Sequence, residues 1–408
     1  MNIYDELVAR GLIAQVTDET EIKELVNNGK AVFYIGFDPT ADSLHLGHYS
    51  SFLITRRLAN AGHTPLLLVG MATALIGDPR GTVERELQQK EEVFRNYEAL
   101  RAQVERVFGF EVVNNYDWIN GMNVIDFFRD YGKYINVGYM LTKDHVRRQM
   151  ESGISYAEFS YMLIQAIDFK HLHETRGVDL QVAGSDQWGN ITTGIELIRK
   201  TTGDEVYALT MPLVTDAQGN KFGKSEGNAL WLDKEKTSSY ELYQFLLNSD
   251  DACVITYLKR LTFLSPEEIT EIEARHLEHP EQRIAQKALA REIITDLHGE
   301  AEFEHAVAVS EKLFAGDFKS LSARDIKSGM KNVPQVSLTE GPLADVLVAA
   351  KVCSSKREAR EFIGNGAISI NGEIVKDAAW PLTKESALEG GIVIIRRGKK
   401  KFYMGEFA

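Results

Sequence analysis

Between residues 31 and 215 the chain alternates short, continuously apolar runs with longer stretches of helical period. AVFYIGF at 31–37, TPLLLVG at 64–70, VDLQVAG at 178–184 and VYALTMPLVT at 206–215 are mostly apolar at consecutive positions. Such runs predict parallel strands buried on both faces. GHYSSFLITRRLANAG at 47–62, a charged stretch near 84–108 and SYAEFSYMLIQAIDFKHLHE at 155–174 predict helices between them. The alternation predicts an α/β fold, a doubly wound parallel sheet of Rossmann-like type, with ligands beyond the carboxyl ends of the strands. A stretch near 110–155 interrupts it with Tyr116, Trp118, Phe127, Phe128, Tyr131, Tyr134 and Tyr139. These aromatics are expected either as core filler or as a subunit interface.

From about 235 to 315 the pattern is almost wholly helical, beginning with KTSSYELYQFLLN. The turn-rich SGMKNVPQVSLTEGP at 328–342 then reads as a linker. The remainder, with LADVLVAAKV, SSKREAREFIGNG, GAISINGEIV and GGIVIIRRGKKKFYM, predicts a small α+β unit. Ser355 and Glu358 there have the spacing of a capping box. The expected division is an α/β domain at 1–228, an α-helical domain at 229–318, a linker at 319–339 and the α+β domain at 340–408.

The length of 408 residues agrees with two or three domains. With 44% apolar and 26% charged residues, the composition is that of a soluble globular protein. The N-terminal MNIYDELVARGL has no basic region leading into an apolar one, so no secretory signal is expected. PLLLVGMATALIG is too short to span a bilayer, so no membrane partner is expected. Cys253 and Cys353 form no C-x-x-C motif, and a reducing cytoplasm fits. The net charge of −13 argues against a chain coated in nucleic acid, DNA included. Residues 340–408 nevertheless carry 11 basic and 9 acidic groups, a net of +2 on an otherwise acidic body. That asymmetry fits either a localised polyanion contact or a neutral domain with a solvated face.

Four segments carry candidate chemistry. In HLGH at 45–48, His45, His48 and Ser51 share one side of a helix that Asp42 or Ser43 is expected to cap. At a helix start, imidazole N–H groups suit a polyphosphate or ribose, whereas zinc would need further ligands that the neighbourhood lacks. GNKFGKSEGN at 219–228 has three residues between Gly219 and Gly223, one fewer than a Walker A loop. It remains a glycine-rich loop whose Lys221, Lys224 and Ser225 either close over a triphosphate or lie on a solvated turn. Tyr161, Gln165 and Asp168 form a polar stripe on an otherwise apolar helix, either lining a pocket or facing solvent. GSDQWGN at 184–190 follows a strand and places Asp186 for a ribose hydroxyl, and Asp78 in GDP at 77–79 also follows a strand.

In this order and spacing, the segments resemble the bacterial tyrosyl-tRNA synthetases, class I aminoacyl-tRNA synthetases, over essentially the whole chain. HLGH resembles the HIGH signature and KFGKS the KMSKS signature. The resemblance implies that Tyr34 and Asp168 bind the phenol of L-tyrosine. Asp78, Tyr161 and Gln165 would hold its ammonium group, and Gln187 its carboxyl region. Gly36, Asp38, His48, Ser51, Gly184 and Asp186 would line the adenosine of ATP. Thr40 and His45, with Lys221, Lys224 and Ser225, would serve the phosphates, and Mg2+ would accompany the nucleotide. No permanently bound cofactor and no resident metal site are implied. Ile35 and the loop GDPRGTVERE, with Arg80 and Arg85, depart from the family pattern.

The resemblance further implies a homodimer joined through 110–155, an anticodon-side helical domain and a C-terminal RNA-binding domain for tRNA(Tyr). Lys356, Arg357, Arg360, Arg396, Arg397, Lys399, Lys400 and Lys401 would grip its phosphates. The implied reaction is formation of tyrosyl-adenylate with release of pyrophosphate, then transfer of tyrosine to the terminal adenosine. Two rival readings are a different adenylating enzyme, such as a tryptophanyl-tRNA synthetase, and a non-catalytic RNA-binding paralogue.

Overall fold

The computed structural model describes residues 1–77, 88–143, 146, 147, 150, 153–225 and 228–407, with 224, 225 and 228 described along the backbone only. The chain divides into two compact units, residues 1–236 with 249–289, and residues 237–248 with 290–408.

The first unit is built on a six-stranded sheet. Its strands are β1 (Gln15–Val16), β2 (Val32–Phe37), β3 (Thr64–Val69), β4 (Glu111–Asn114), β5 (Val178–Gly184) and β6 (Tyr207–Met211). They run in the order β1-β6-β5-β2-β3-β4, all parallel except β1. The four apolar runs became β2, β3, β5 and β6. The two edge strands escaped the hydrophobic pattern because each is short and meets its neighbour on one side only. From β2 the order proceeds outward to β3 and β4, and from β5 outward to β6 on the other flank. The reversal lies between β2 and β5, the place where such sheets open a crevice at their carboxyl ends.

Helices α1 (Leu46–Asn60), α2 (Lys90–Phe108), α3 (Tyr156–Arg176), α4 (Trp188–Thr201) and α5 (Asp251–Leu261) belong to this unit. The side chain of Ser155 accepts the Glu158 amide at the start of α3, and Gly177 ends it at φ +65°, a left-handed turn that suits glycine. Phe169 and Leu172 of α3 and Ile198 of α4 pack with Tyr34, Leu66, Leu68 and Val178 of the sheet. Neither Asp42 nor Ser43 caps α1. Asp42 pairs with Lys236 at 2.6 Å, the Ser43 hydroxyl donates to the Leu44 carbonyl, and His45 itself is the N-cap.

The aromatic interruption is partly core and partly exposed. It begins with β4, and Phe127, Tyr131 and Tyr134 pack around Ile135, Met140 and Met162. Val124, Ile125, Phe128 and Val137 are exposed.

In the second unit, the stretch 319–339 is not a linker. It contains α7 (Ala323–Gly329) and β7 (Gln335–Leu338), after the longer α6 (Glu300–Ala315). Then follow α8 (Leu343–Ala349), α9 (Lys356–Gly364), β8 (Ile368–Ile370), β9 (Glu373–Ile374), β10 (Ile392–Arg397) and β11 (Lys401–Phe407). The sheet order is β9-β8-β10-β11-β7, with β7 parallel to β11. Val309, Phe318, Leu321, Ile326 and Met330 share one core with Ile392, Ile394 and Met404, so 300–330 and the terminal sheet fold together. Gly329 and Pro334 punctuate element boundaries here rather than a tether. The expected capping box at α9 is half formed: Ser355 accepts the Glu358 amide, while the Glu358 carboxylate accepts from Ser354. Among the described residues, no helix is long and apolar enough to cross a membrane.

Candidate active site

A cavity of about 500 Å³ opens at the reversal point. Gly36 and Asp38 reach it from the end of β2, and Gly184, Asp186 and Gln187 from the end of β5. His45, His48 and Ser51 come from the first turns of α1, and Thr40 and Lys221 complete the wall. The side chains of Lys224 and Ser225 fall outside the described part, as do Asp78, Arg80 and Arg85 altogether.

The two histidines stack at 3.8 Å between ring centroids, 14° from parallel. His48 Nδ1 lies 3.4 Å from the His45 backbone N–H and accepts from it. In the neutral ring the proton then sits on Nε2, making that atom a donor. Gly47 is dictated by the same geometry. A Cβ there would stand 2.9 Å from the His45 ring and 3.2 Å from the Phe222 carbonyl. Among the described residues, no group of three or more His, Cys, Asp or Glu could hold a metal ion.

Polar residues of other elements fix the segment joining β2 to α1. Asn96 Nδ2 donates to the Pro39 carbonyl at 3.1 Å, and Gln103 Oε1 accepts the Leu44 amide at 2.7 Å. Both are buried on α2, among Val93, Leu100 and Val104. Sequence reasoning passed over them; two polar residues seven apart on an apolar helix face were the available signal.

A second, smaller cavity of about 50 Å³ adjoins the first, sharing Gly36, Phe37, Asp38, Ala183 and Gln187 with it. Tyr34, Tyr161, Gln165 and Asp168 line it together with Thr73 and Gln181. Tyr161 is 4% exposed and Asp168 0%, so the polar stripe of α3 faces a pocket and not solvent. The Asp168 carboxylate accepts from Trp118 Nε1 at 2.9 Å and Asn115 Nδ2 at 3.0 Å. Burial pushes this carboxyl up to about 7, against the opposing pull of those two donors. Burial, followed by the nearby Asp168 charge, also holds the Tyr34 phenol well above its ordinary range. The Tyr34 hydroxyl, Gln165 Oε1 and Gln181 Oε1 are buried with no hydrogen-bond partner among the described residues. Orphaned polar atoms of this kind mark a place built for polar ligand groups.

Asp38 belongs to both cavities, not to the larger one alone. Tyr161 Oη donates to its Oδ2 at 3.1 Å and the Thr73 hydroxyl to its Oδ1 at 2.8 Å. Asn115, Trp118, Thr73 and Gln181 were all missed from sequence. Gln181 had a signal, a polar residue inside an apolar strand, and it sits directly opposite Tyr34. Trp118 had none, because only the fold turns its indole toward Asp168.

HLGH and KFGKS touch through their backbones. Gly223 has φ +82°, and a Cβ there would come within 2.8 Å of the Gly47 nitrogen. The Leu230 amide donates to the Gly223 carbonyl at 2.9 Å, and the Leu46 amide to the Leu230 carbonyl at 2.7 Å. Lys221 Nζ stands 4.0 Å from Asp186 Oδ2.

In the second unit Arg357, Arg360, Lys399, Lys400 and Lys401 are exposed and Arg396 is half-buried. Lys356 pairs with Asp345 at 2.8 Å. Arg397 is a structural residue: its guanidinium donates to the Val352 carbonyl and stands 5.6 Å from the Phe362 ring centroid.

A family model described as tRNA synthetases class I (W and Y) matches residues 26–315. A second, the tyrosine–tRNA ligase SYY-like C-terminal domain, matches 325–405. The tyrosine–tRNA ligase of Geobacillus stearothermophilus is 51% identical, covering 100% of each chain, and that of Streptococcus mutans 48% identical, covering 99% of each. A crystal structure of a C-terminally truncated mitochondrial tyrosyl-tRNA synthetase from Aspergillus nidulans aligns with a TM-score of 0.68 at 32% identity. The alignment covers 77% of this chain and 94% of that one. With one family model spanning most of the chain and full-length relatives at about half identity, the chain belongs to the class I tRNA synthetases (W and Y), among the tyrosine–tRNA ligases.

Proposed function

We propose that the two adjoining cavities carry out a tyrosine–tRNA ligase reaction, the small one selecting L-tyrosine and the large one holding ATP. The observation that carries this reading is the Tyr34 hydroxyl near the Asp168 carboxylate at a buried pocket that adjoins HLGH and KFGKS. A phenol donates its proton to Asp168 and accepts from Tyr34. Phenylalanine leaves the Tyr34 hydroxyl without a partner and gives Asp168 no donor beyond Asn115 and Trp118, and tryptophan does not match this donor–acceptor pair. Rejection through unpaired buried groups is already a known property of this family, and it discriminates far more strongly than a lost methylene does. Tyr161, Gln165 and Asp38 surround the ammonium group, to which the family pattern also assigns Asp78, outside the described residues, and Gln187 takes the carboxyl region.

The tyrosine carboxylate, ionised at neutral pH, attacks the α-phosphorus of ATP in line and needs no general base. His48 Nε2 and Asp186 bind the ribose. Gly36 and Gly184 let the nucleotide approach the backbone, and Ser51 lines the adenosine side. Thr40, His45, Lys221, Lys224 and Ser225 bind the departing pyrophosphate more tightly as negative charge develops on it, which lowers the barrier. Mg2+ accompanies the triphosphate of the nucleotide. A hydroxyl of the terminal adenosine of tRNA(Tyr) then takes the tyrosyl group.

Exposed Val124, Ile125, Phe128 and Val137 support a homodimer through the 110–155 region. Lys356, Arg357 and Arg360 on α9, with Arg396 and Lys399–Lys401 at the turn from β10 to β11, support tRNA backbone binding by the C-terminal α+β part. Two cysteines without a disulfide and a tRNA substrate support a cytoplasmic location. Amino-acid-dependent ATP–pyrophosphate exchange tests the reading. Tyrosine alone among the twenty amino acids is expected to drive it, and exchange with tryptophan instead would overturn the assignment.

A further inference from the structure

We infer that Tyr257, on α5 and outside both cavities, is a positioning residue that seats the lysine loop against HLGH. This rests on the reading of Lys221 as a phosphate-binding group.

Tyr257 is 3% exposed and touches the loop in two ways. Its ring packs on Phe222 with centroids 4.6 Å apart at 49°. Its hydroxyl donates to the Thr215 carbonyl at 2.8 Å. Thr215 and Lys221 face each other as an antiparallel bridge, so the ring and the hydroxyl hold both arms of one small hairpin. Asp216 tightens its turn by accepting the Gln218 and Asn220 amides at 3.0 and 2.8 Å.

Phe222 is the buried side chain between the two lysines, at 5% exposure. Its carbonyl faces Gly47, and the next residue, Gly223, lies against the Gly47 nitrogen. Tyr257, Phe222 and Gly47 therefore form a continuous run of contacts from α5 to the histidine helix. Lysines repel one another and a bound triphosphate pulls on them, so a loop carrying them needs an apolar anchor to hold register. A phenylalanine at 257 would supply the ring packing, but only tyrosine supplies the bond to Thr215.

The test is a double-mutant cycle on the full chain, using Tyr257→Phe, Lys221→Ala and the pair, read by the rate of adenylate formation at saturating tyrosine. Tyr257→Phe keeps the ring and so keeps the fold; the thermal midpoint is checked in parallel. It is expected to slow adenylate formation roughly 10-fold, the scale of one lost hydrogen bond, with the tyrosine Kd unchanged in the absence of ATP. In the Lys221→Ala background the same change is expected to cost less than about 2-fold, because the group it positions is gone. Equal losses in both backgrounds, or weakened tyrosine binding, would overturn the role of Tyr257. If Lys221→Ala by itself leaves the rate unchanged, it is the reading of the lysine that fails.

Discussion

Asp168 shows how much one buried residue can be asked to do. It must be ionised to accept a phenol, yet burial raises its folded-state value from 3.8 to about 7. A carboxyl raised on folding contributes stability below about pH 4 in its neutral form, and that contribution is lost as pH rises through about 7. The stability of the ligand-free enzyme is therefore expected to fall over this window, by at most roughly 4 kcal/mol from this group. Asp168→Asn should flatten the decline in a thermal-melt series, and an unchanged slope would remove Asp168 as its source. Tyrosine affinity should move the other way, strengthening as pH rises through the same value. For Tyr34→Phe the expected outcome is a drop of roughly 10-fold in the preference for tyrosine over phenylalanine, read as the ratio of kcat/KM in exchange. Tyr34, Tyr161, Gln165, Asp168 and Gln187 line this pocket together and Asp78 lies outside the described residues, but Trp118 and Asn115 needed the fold. Nothing in a local pattern tells that an indole 50 positions away donates to Asp168.

At the scale of elements, the contact between HLGH and KFGKS joins two segments that the sequence presents as separate signatures. Gly223→Ala adds a Cβ where φ is +82° and the Gly47 nitrogen would lie 2.8 Å away. It is expected to displace the loop, slowing adenylate formation on the order of 100-fold while tyrosine binding without ATP stays near normal. Equal damage to tyrosine binding would mean the substitution disturbs the pocket and not the loop. The parallel strands, α1 and α3 were legible because continuous or periodic burial is written directly into residue order. The cap of α1 was not. A histidine is an unusual N-cap, and His45 takes that place because His48 reaches back to its amide while Asp42 is drawn to Lys236.

For the whole molecule, the shared core of the second unit changes what a truncation can show. Cutting at 340 would strip β7 of β11 and leave Phe318, Leu321 and Ile326 without Ile392, Ile394 and Met404. The tail is better tested by charge. Reversing Lys399, Lys400 and Lys401 to glutamate should leave pyrophosphate exchange intact, reduce tRNA charging at least 10-fold at moderate salt, and lower the salt dependence of tRNA binding. Unimpaired charging would remove these lysines from the tRNA interface. Replacing Ile125 by aspartate should shift the proposed homodimer toward monomer in sedimentation, since it places a charge in the exposed apolar patch, and unchanged sedimentation would remove that patch from the proposed interface.

Residue order alone determined what depends on local periodicity and on residue type at fixed spacing. That covers the parallel strands, their helices, and the four segments with the chemistry of an adenylating enzyme, together with the family they resemble. Tertiary structure decided what depends on which segments meet. It turned a supposed linker into a helix and a strand of a common core, made Arg397 a structural residue, and set Asp38 between the two cavities. It also brought Asn115 and Trp118 onto Asp168 and Tyr257 under Phe222. Pairings between distant residues cost chain entropy and are repaid only by the assembled core, so no local pattern records them.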